Sequence, residues 1–221
     1  MRVAVMFSGG KDSTLALHEV SGAGHEVSAL VTVISRNPDS FMFHVPGVEL
    51  TEWQAKVMSL PRVVVNTSGE KEREVDEVIA SLEELDVDAI VAGAVQSRYQ
   101  RDRFQHIALR LGIRFIAPLW NKDPLEILKR EVSMFRIMIT ACAAEGLSER
   151  MLGRIITPDV IEELKRYNEL YGVNPVGEGG EYETAVLQAP LFRQGLNVTF
   201  EKVWKGNAGR IRILHIETDD P

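Results

Sequence analysis

The chain has 221 residues, the size of one large domain or of a medium domain with a smaller companion, which excludes a tiny disulfide scaffold and a long repeat array. Hydrophobic residues at 45% and charged residues at 26% exclude intrinsic disorder as the main state. With 25 basic against 32 acidic residues the net charge is −7, so the surface as a whole advertises neither nucleic acid nor an anionic membrane as its partner. The single cysteine, Cys142, excludes an internal disulfide and any multi-cysteine metal site, and it reads as a buried small hydrophobe. The first apolar stretch ends at Phe7, too short for a secretion signal, and no run approaches the ~18 apolar residues of a membrane span. A soluble, cytoplasmic protein is expected, with a homo-oligomer left open.

From the N-terminus onward, short and nearly continuous apolar runs at residues 3–7, 27–34, 62–65, 89–95, 113–117 and 137–142 predict strands buried on both faces, the habit of a parallel sheet. Between them, Val75, Val78, Ile79 and Leu82 repeat at helical spacing, as do Phe104, Ile107, Ala108 and Leu111. Asp123, Pro124 and Glu126 spell another helix start: a cap, a residue suited to the first turn, and a glutamate to close a capping box. This alternation predicts an α/β domain over residues 1–143, a doubly wound, Rossmann-like parallel sheet whose ligands bind beyond the carboxyl ends of the strands. Residues 144–221 predict a smaller α+β region. Its helix opens at Thr157, Pro158 and Asp159, a glycine-rich stretch follows, and segments 197–204 and 210–217 form a hairpin across the turn 205–209.

The most informative stretch is Ser8-Gly9-Gly10-Lys11-Asp12-Ser13, directly after the first strand and before a helix expected to start near Thr14. Two glycines let backbone amides approach an anion, the helix N-terminus adds its dipole, and Lys11 adds a full charge. The spacing is neither that of a Walker A loop nor G-x-G-x-x-G, so kinase, GTPase and NAD readings lose their main support. This six-residue run resembles the pyrophosphate loop of the N-type ATP pyrophosphatases. The resemblance implies the HUP-type version of the fold and cleavage of ATP between its α- and β-phosphates. It also implies that Ser8, Gly9, Gly10, Lys11 and Ser13 hold pyrophosphate while Asp12 binds or orients Mg²⁺.

Further segments narrow the likeness: Thr32 to Ser35 followed by Phe41-Met42-Phe43-His44, Thr67 to Glu70, Val91-Ala92-Gly93-Ala94, Tyr99-Gln100, Pro118-Leu119-Trp120, and Gly177-Glu178-Gly179-Gly180-Glu181-Tyr182-Glu183-Thr184. Together they resemble the diphthine–ammonia ligase family over nearly the whole chain. The resemblance implies ATP-dependent amidation of diphthine on translation elongation factor 2 with ammonium, through an acyl-adenylate, releasing AMP and pyrophosphate.

The residues themselves agree in part. Gly93 and Ala94, at the carboxyl end of a buried strand, either admit an adenine ring or permit close helix–sheet packing. Arg98 opens the next helix and is a candidate for a phosphate. The loop from Glu178 to Glu183 gathers three carboxylates, whose natural complement is a cation: Mg²⁺, ammonium, or the trimethylammonium of diphthine with Tyr182 offering a ring face. Glu181 and Glu183 would share one face of an extended chain. Glu178, Gly179, Gly180, Glu181, Tyr182, Glu183 and His44 are thus the acceptor-side candidates, with Lys11, Asp12, Glu181 and Glu183 expected to be catalytic. No histidine has metal-ligand spacing with another or with Cys142. No glutaminase segment is present, so ammonia comes from solution or from another chain. The rivals are a tRNA-modifying pyrophosphatase, against which one cysteine and a charge of −7 count, and a nucleotide-binding sensor that holds ATP without turnover.

Overall fold

A computed structural model of the protein describes residues 1–36, 47–70 and 73–219. The first half alternates strand and helix: β1 (Arg2–Met6), α1 (Lys11–Gly22), β2 (Glu26–Ser35), α2 (Leu50–Met58), β3 (Arg62–Thr67), α3 (Arg73–Leu82), β4 (Ala89–Val91), α4 (Arg98–Leu111) and β5 (Arg114–Ile116). All five strands pair in parallel in the order β3-β2-β1-β4-β5, the doubly wound topology that the alternation predicts. The chain order reverses between β1 and β4, so the crevice beyond their carboxyl ends is the switch point where such sheets take ligands.

Burial explains why β1 reads as a continuous apolar run. Val3, Val5 and Phe7 enter one core cluster while Ala4 and Met6 enter another on the opposite face. The second cluster is closed by α3 and α4 through Val75, Val78, Ile79, Leu82, Phe104, Ile107 and Ala108, the helical stripes seen in the sequence.

The rest of the chain forms α5 (Pro124–Met134), β6 (Arg136–Cys142), α6 (Pro158–Tyr171), β7 (Tyr182–Gln188), β8 (Leu196–Lys205) and β9 (Ala208–Thr218). Here one expectation is corrected: β6, expected as a sixth parallel strand, pairs antiparallel with β7 and β9 in a second, four-stranded sheet ordered β7-β6-β9-β8. Its apolar run, buried on both faces, fits the centre of either sheet, and periodicity alone cannot say which. The two sheets part between β5 and β6. The first core cluster runs through both sheets, joining Val3 and Leu15 to Ile137, Val186 and Leu196.

Local signals are obeyed with two adjustments. Asp123 caps α5 by accepting from Glu126 N–H at 2.9 Å, yet the Glu126 carboxylate goes to Lys129 at 2.7 Å, so only one half of the capping box forms. The hairpin turn is two residues long, and Gly206 at its first position has φ 61°, where glycine is favoured. Cys142 is buried, and burial pushes its thiol up to about 12. Among the described residues no helix is long and apolar enough to cross a membrane.

Candidate active site

The loop after β1 is a tight cradle. Gly10 is the N-cap of α1, so the helix begins at Lys11, three residues earlier than its apolar pattern suggests. Gly10 N–H lies 3.4 Å from Ser8 Oγ, the Ser8 and Ser13 hydroxyls are 3.1 Å apart, and Ser13 Oγ donates to Gly10 O at 3.2 Å. The first helical bond is Thr14 N–H to Gly10 O at 3.1 Å, which leaves the Asp12 and Ser13 amides without an acceptor among the described residues. Such amides at a helix N-terminus, with the helix dipole behind them, form an anion site.

Partners invisible in the motif hold the cradle from the second sheet and from α2. Val186 N–H donates to Gly9 O at 2.9 Å, and Lys11 N–H donates to Thr184 Oγ1 at 3.2 Å. The fully buried Gln54 donates through Nε2 to Gly9 O at 2.9 Å and to Val186 O at 2.8 Å. At Gly9, φ is 78° and a Cβ would run into Gln54 Oε1, so the position excludes a side chain twice over.

The charged members draw together around Lys11. Its ammonium donates to Asp12 Oδ1 at 2.8 Å and Oδ2 at 2.7 Å and stands 3.8 Å from Oε2 of Glu131 on α5. Burial works against the charge of Lys11, but Asp12 and Glu131 outweigh it and hold its pKa above the ordinary value. Burial pushes the Glu131 carboxyl well above the carboxylate range, against the pull of Lys11. Glu183, on β7, is driven by burial up to about 7, with Lys11 opposing and Asp12 adding to the rise. Glu178 accepts from Gln96 N–H at 2.8 Å, which ties its loop to the segment after β4. Burial raises the Glu178 pKa, partly offset by that backbone donor.

Of the three loop carboxylates, Glu178 and Glu183 both feel Lys11 and Asp12, whereas Glu181 turns away. Glu181 folds back on its own loop, accepting from Gly179 N–H at 2.8 Å and from Asn174 N–H at 3.3 Å, while Glu183 joins the Lys11 and Asp12 group. Tyr182 is only 3% exposed and donates its hydroxyl to Pro175 O at 2.9 Å, so its ring is packed in the core rather than presented to a cation. Gly93 follows the packing alternative: a Cβ there would lie 2.6 Å from Asp12 C and O. Ala94 is buried beside it. Arg98 opens α4 in an exposed position and makes no hydrogen bond or ion pair with a described residue. His44 lies outside the described residues.

Gln54, Glu131 and Thr184 were missed as site residues. A signal existed for two of them: Gln54 falls on the buried stripe of α2 between Leu50 and Met58, and Glu131 on that of α5 after Ile127 and Leu128. A polar residue on an apolar stripe needs a partner, and for both the partner lies at the loop.

Fold and cradle together define an α/β protein with a glycine loop and a helix N-terminus at the switch point of its parallel sheet. A family model for the diphthamide synthase N-terminal domain matches residues 1–115 and one for the diphthamide synthase C-terminal domain matches residues 123–218. The chain belongs to the diphthamide synthase family. It is 29% identical to the diphthine–ammonia ligase of Schizosaccharomyces pombe over 98% of this chain and 39% of that protein. The Saccharomyces cerevisiae protein of the same name is 30% identical over 88% of this chain and 34% of its own length. For the human one the figures are 32%, 92% and 85%. The chain thus spans well under half of the two yeast relatives and most of the human one. A solved structure described as a predicted subunit of tRNA methyltransferase from Methanocaldococcus jannaschii matches at TM-score 0.49 and 18% identity, over 86% of this chain and 98% of that one.

Proposed function

We propose that the protein is an AMP-forming ligase that uses ATP and ammonium to amidate diphthine on translation elongation factor 2, giving diphthamide. The observation that carries this reading is the junction at the strand ends, where the Ser8 to Ser13 cradle meets Glu178 and Glu183 from the other half of the chain. Relatives named diphthine–ammonia ligase support the choice of acceptor.

In the first step a carboxylate oxygen of the acceptor attacks the α-phosphorus and the bond to pyrophosphate breaks. The electron pair leaves on pyrophosphate, where the free Asp12 and Ser13 amides and the α1 dipole meet the growing charge. In the second step ammonia attacks the acyl carbon and AMP departs. Ammonium must first lose a proton, and Glu183, with its raised pKa beside Lys11 and Asp12, is placed to accept it. No protein nucleophile is needed, and catalysis is positioning and charge stabilisation.

Among the described residues no group of three acidic, histidine or cysteine side chains could hold a metal alone. Asp12 with phosphate oxygens and water nevertheless fits Mg²⁺, which takes one or two carboxylates plus substrate phosphates. When bound, Mg²⁺ would neutralise phosphate charge. The single buried cysteine and an acceptor that serves translation agree with a cytoplasmic protein.

Incubation with ATP, ammonium and the diphthine form of elongation factor 2 tests the reading. AMP and pyrophosphate should appear only with acceptor, together with the amide. ADP and phosphate as the acceptor-dependent products would refute it.

A further inference from the structure

The Lys11 side chain does not reach outward from the cradle. It is 5% exposed, and its ammonium donates to both oxygens of Asp12 at 2.8 and 2.7 Å and stands 3.8 Å from Glu131 Oε2. Glu131 is fully buried, and neither of its carboxyl oxygens has a hydrogen-bond donor among the described residues. Burial favours the neutral form of a carboxyl so placed, on the stripe that carries Ile127 and Leu128, and a cation beside it pulls toward the charged form. Lys11 is that cation. The distance between them is set by two packed helices, because Arg130, adjacent to Glu131, pairs with Glu19 of α1, and Lys122 reaches the same carboxylate at 3.4 Å. Asp12, at 32%, is the member of the trio that reaches the surface.

We propose that Glu131 and Lys11 form a positioning pair for Asp12, and that Lys11 makes no contact with the phosphates. Glu131 fixes the ammonium from the interior, and the ammonium fixes the Asp12 carboxylate at the edge of the cradle. Phosphate binding then falls to the free amides of Asp12 and Ser13 and to the Ser8 and Ser13 hydroxyls. An ammonium that is 5% exposed, bonded to both oxygens of Asp12 and backed by buried Glu131, is held inside the fold rather than at the open side of the cradle. The inference rests on the nucleotide reading of the cradle given above.

ATP binding by calorimetry, in EDTA and in Mg²⁺, tests it together with acceptor-dependent AMP release. Three variants of the full chain serve: Glu131→Gln, Lys11→Met, and the pair Lys11→Met with Glu131→Leu, which removes both buried polar groups so that neither is left without the other. The paired variant should fold and bind ATP in EDTA within about threefold of the original, with kcat reduced about tenfold or more at unchanged KM for ATP. Glu131→Gln should lower kcat in the same direction and raise the Mg²⁺ concentration needed for half-maximal rate. An ATP affinity in EDTA that drops about tenfold or more in the paired variant would place Lys11 on the phosphates and overturn the proposal. So would an unchanged kcat and Mg²⁺ requirement in Glu131→Gln. If the unaltered protein binds no ATP, the nucleotide reading falls and the proposal falls with it.

Discussion

Replacing Gly93 by alanine should damage the phosphate loop through backbone packing alone, with every side chain of the loop unchanged. The added Cβ would stand 2.6 Å from both the carbonyl carbon and the oxygen of Asp12, and 2.8 Å from the Ser13 amide nitrogen. All three are backbone atoms of the first turn of α1, so no rotamer change relieves the clash. Ordinary contact begins at 3.4 Å, which leaves a shortfall of about 0.8 Å to be met by pushing α1 away from the end of β4. Overpacking of this kind costs about 1–3 kcal/mol. At ~2–4 °C per kcal/mol for a chain of this size, the melting temperature should drop by about 2–12 °C. Displacement of the cradle amides by nearly 1 Å should slow AMP release by up to about 100-fold. Gly22→Ala is the control, because a Cβ there meets nothing within 4 Å and a helical position prefers alanine. Thermal melts and nucleotide chromatography on both variants decide the matter. A Gly93→Ala protein with unaltered melting temperature and rate would refute the packing reasoning.

Other consequences are as direct. Gln54→Leu removes both donors that join Gly9 O to Val186 O and should lower stability by about 2–4 kcal/mol, read as a shift of the denaturant midpoint. Thr184→Val keeps the shape but drops the acceptor of Lys11 N–H, so ATP affinity should fall by a factor of about 3–10, with Thr184→Ser restoring it; equal affinity in all three would sink the role. Because the folded-state pKa of Glu183 lies above its unfolded value, the native protein binds the extra proton between about 4.5 and 7. The contribution of Glu183 to stability is therefore full below that window and declines as pH rises through it, and Glu183→Gln should flatten this slope in melts between pH 4.5 and 7.

Much of this site was legible because its chemistry is local. Ser8 to Ser13 is a contiguous turn whose glycines and helix start announce an anion, and the parallel sheet follows from apolar runs such as Val3–Phe7 that are buried on both faces. What the sequence hid depends on distant pairs. Nothing near Glu131 says that Lys11, 120 positions earlier, is its counter-charge, and nothing near Gln54 says that its amide bridges Gly9 to Val186. Strand β6 was assigned to the wrong sheet for the same reason, since its partners β7 and β9 come later in the chain. Composition marks the loop carboxylates but not their partners: Glu181 accepts from Gly179 N–H, whereas Glu178 and Glu183 both feel Lys11 and Asp12.

The distribution of partners also explains why the two sheets must meet at this point. The strand and helix that frame the cradle, β1 and α1, belong to the first sheet. Yet the carbonyl of Gly9 is met by Val186, the amide of Lys11 by Thr184, and the ammonium of Lys11 by Glu131, all from the second half of the chain. A phosphate loop is useful only if its amides are fixed before the ligand arrives, since ordering them on binding would consume the interaction they supply. In this chain that fixing comes from β7, the same strand that brings Glu183 toward Lys11 and Asp12. Any movement of β7 that repositions Glu183 must therefore also move Thr184 and Val186 against the cradle.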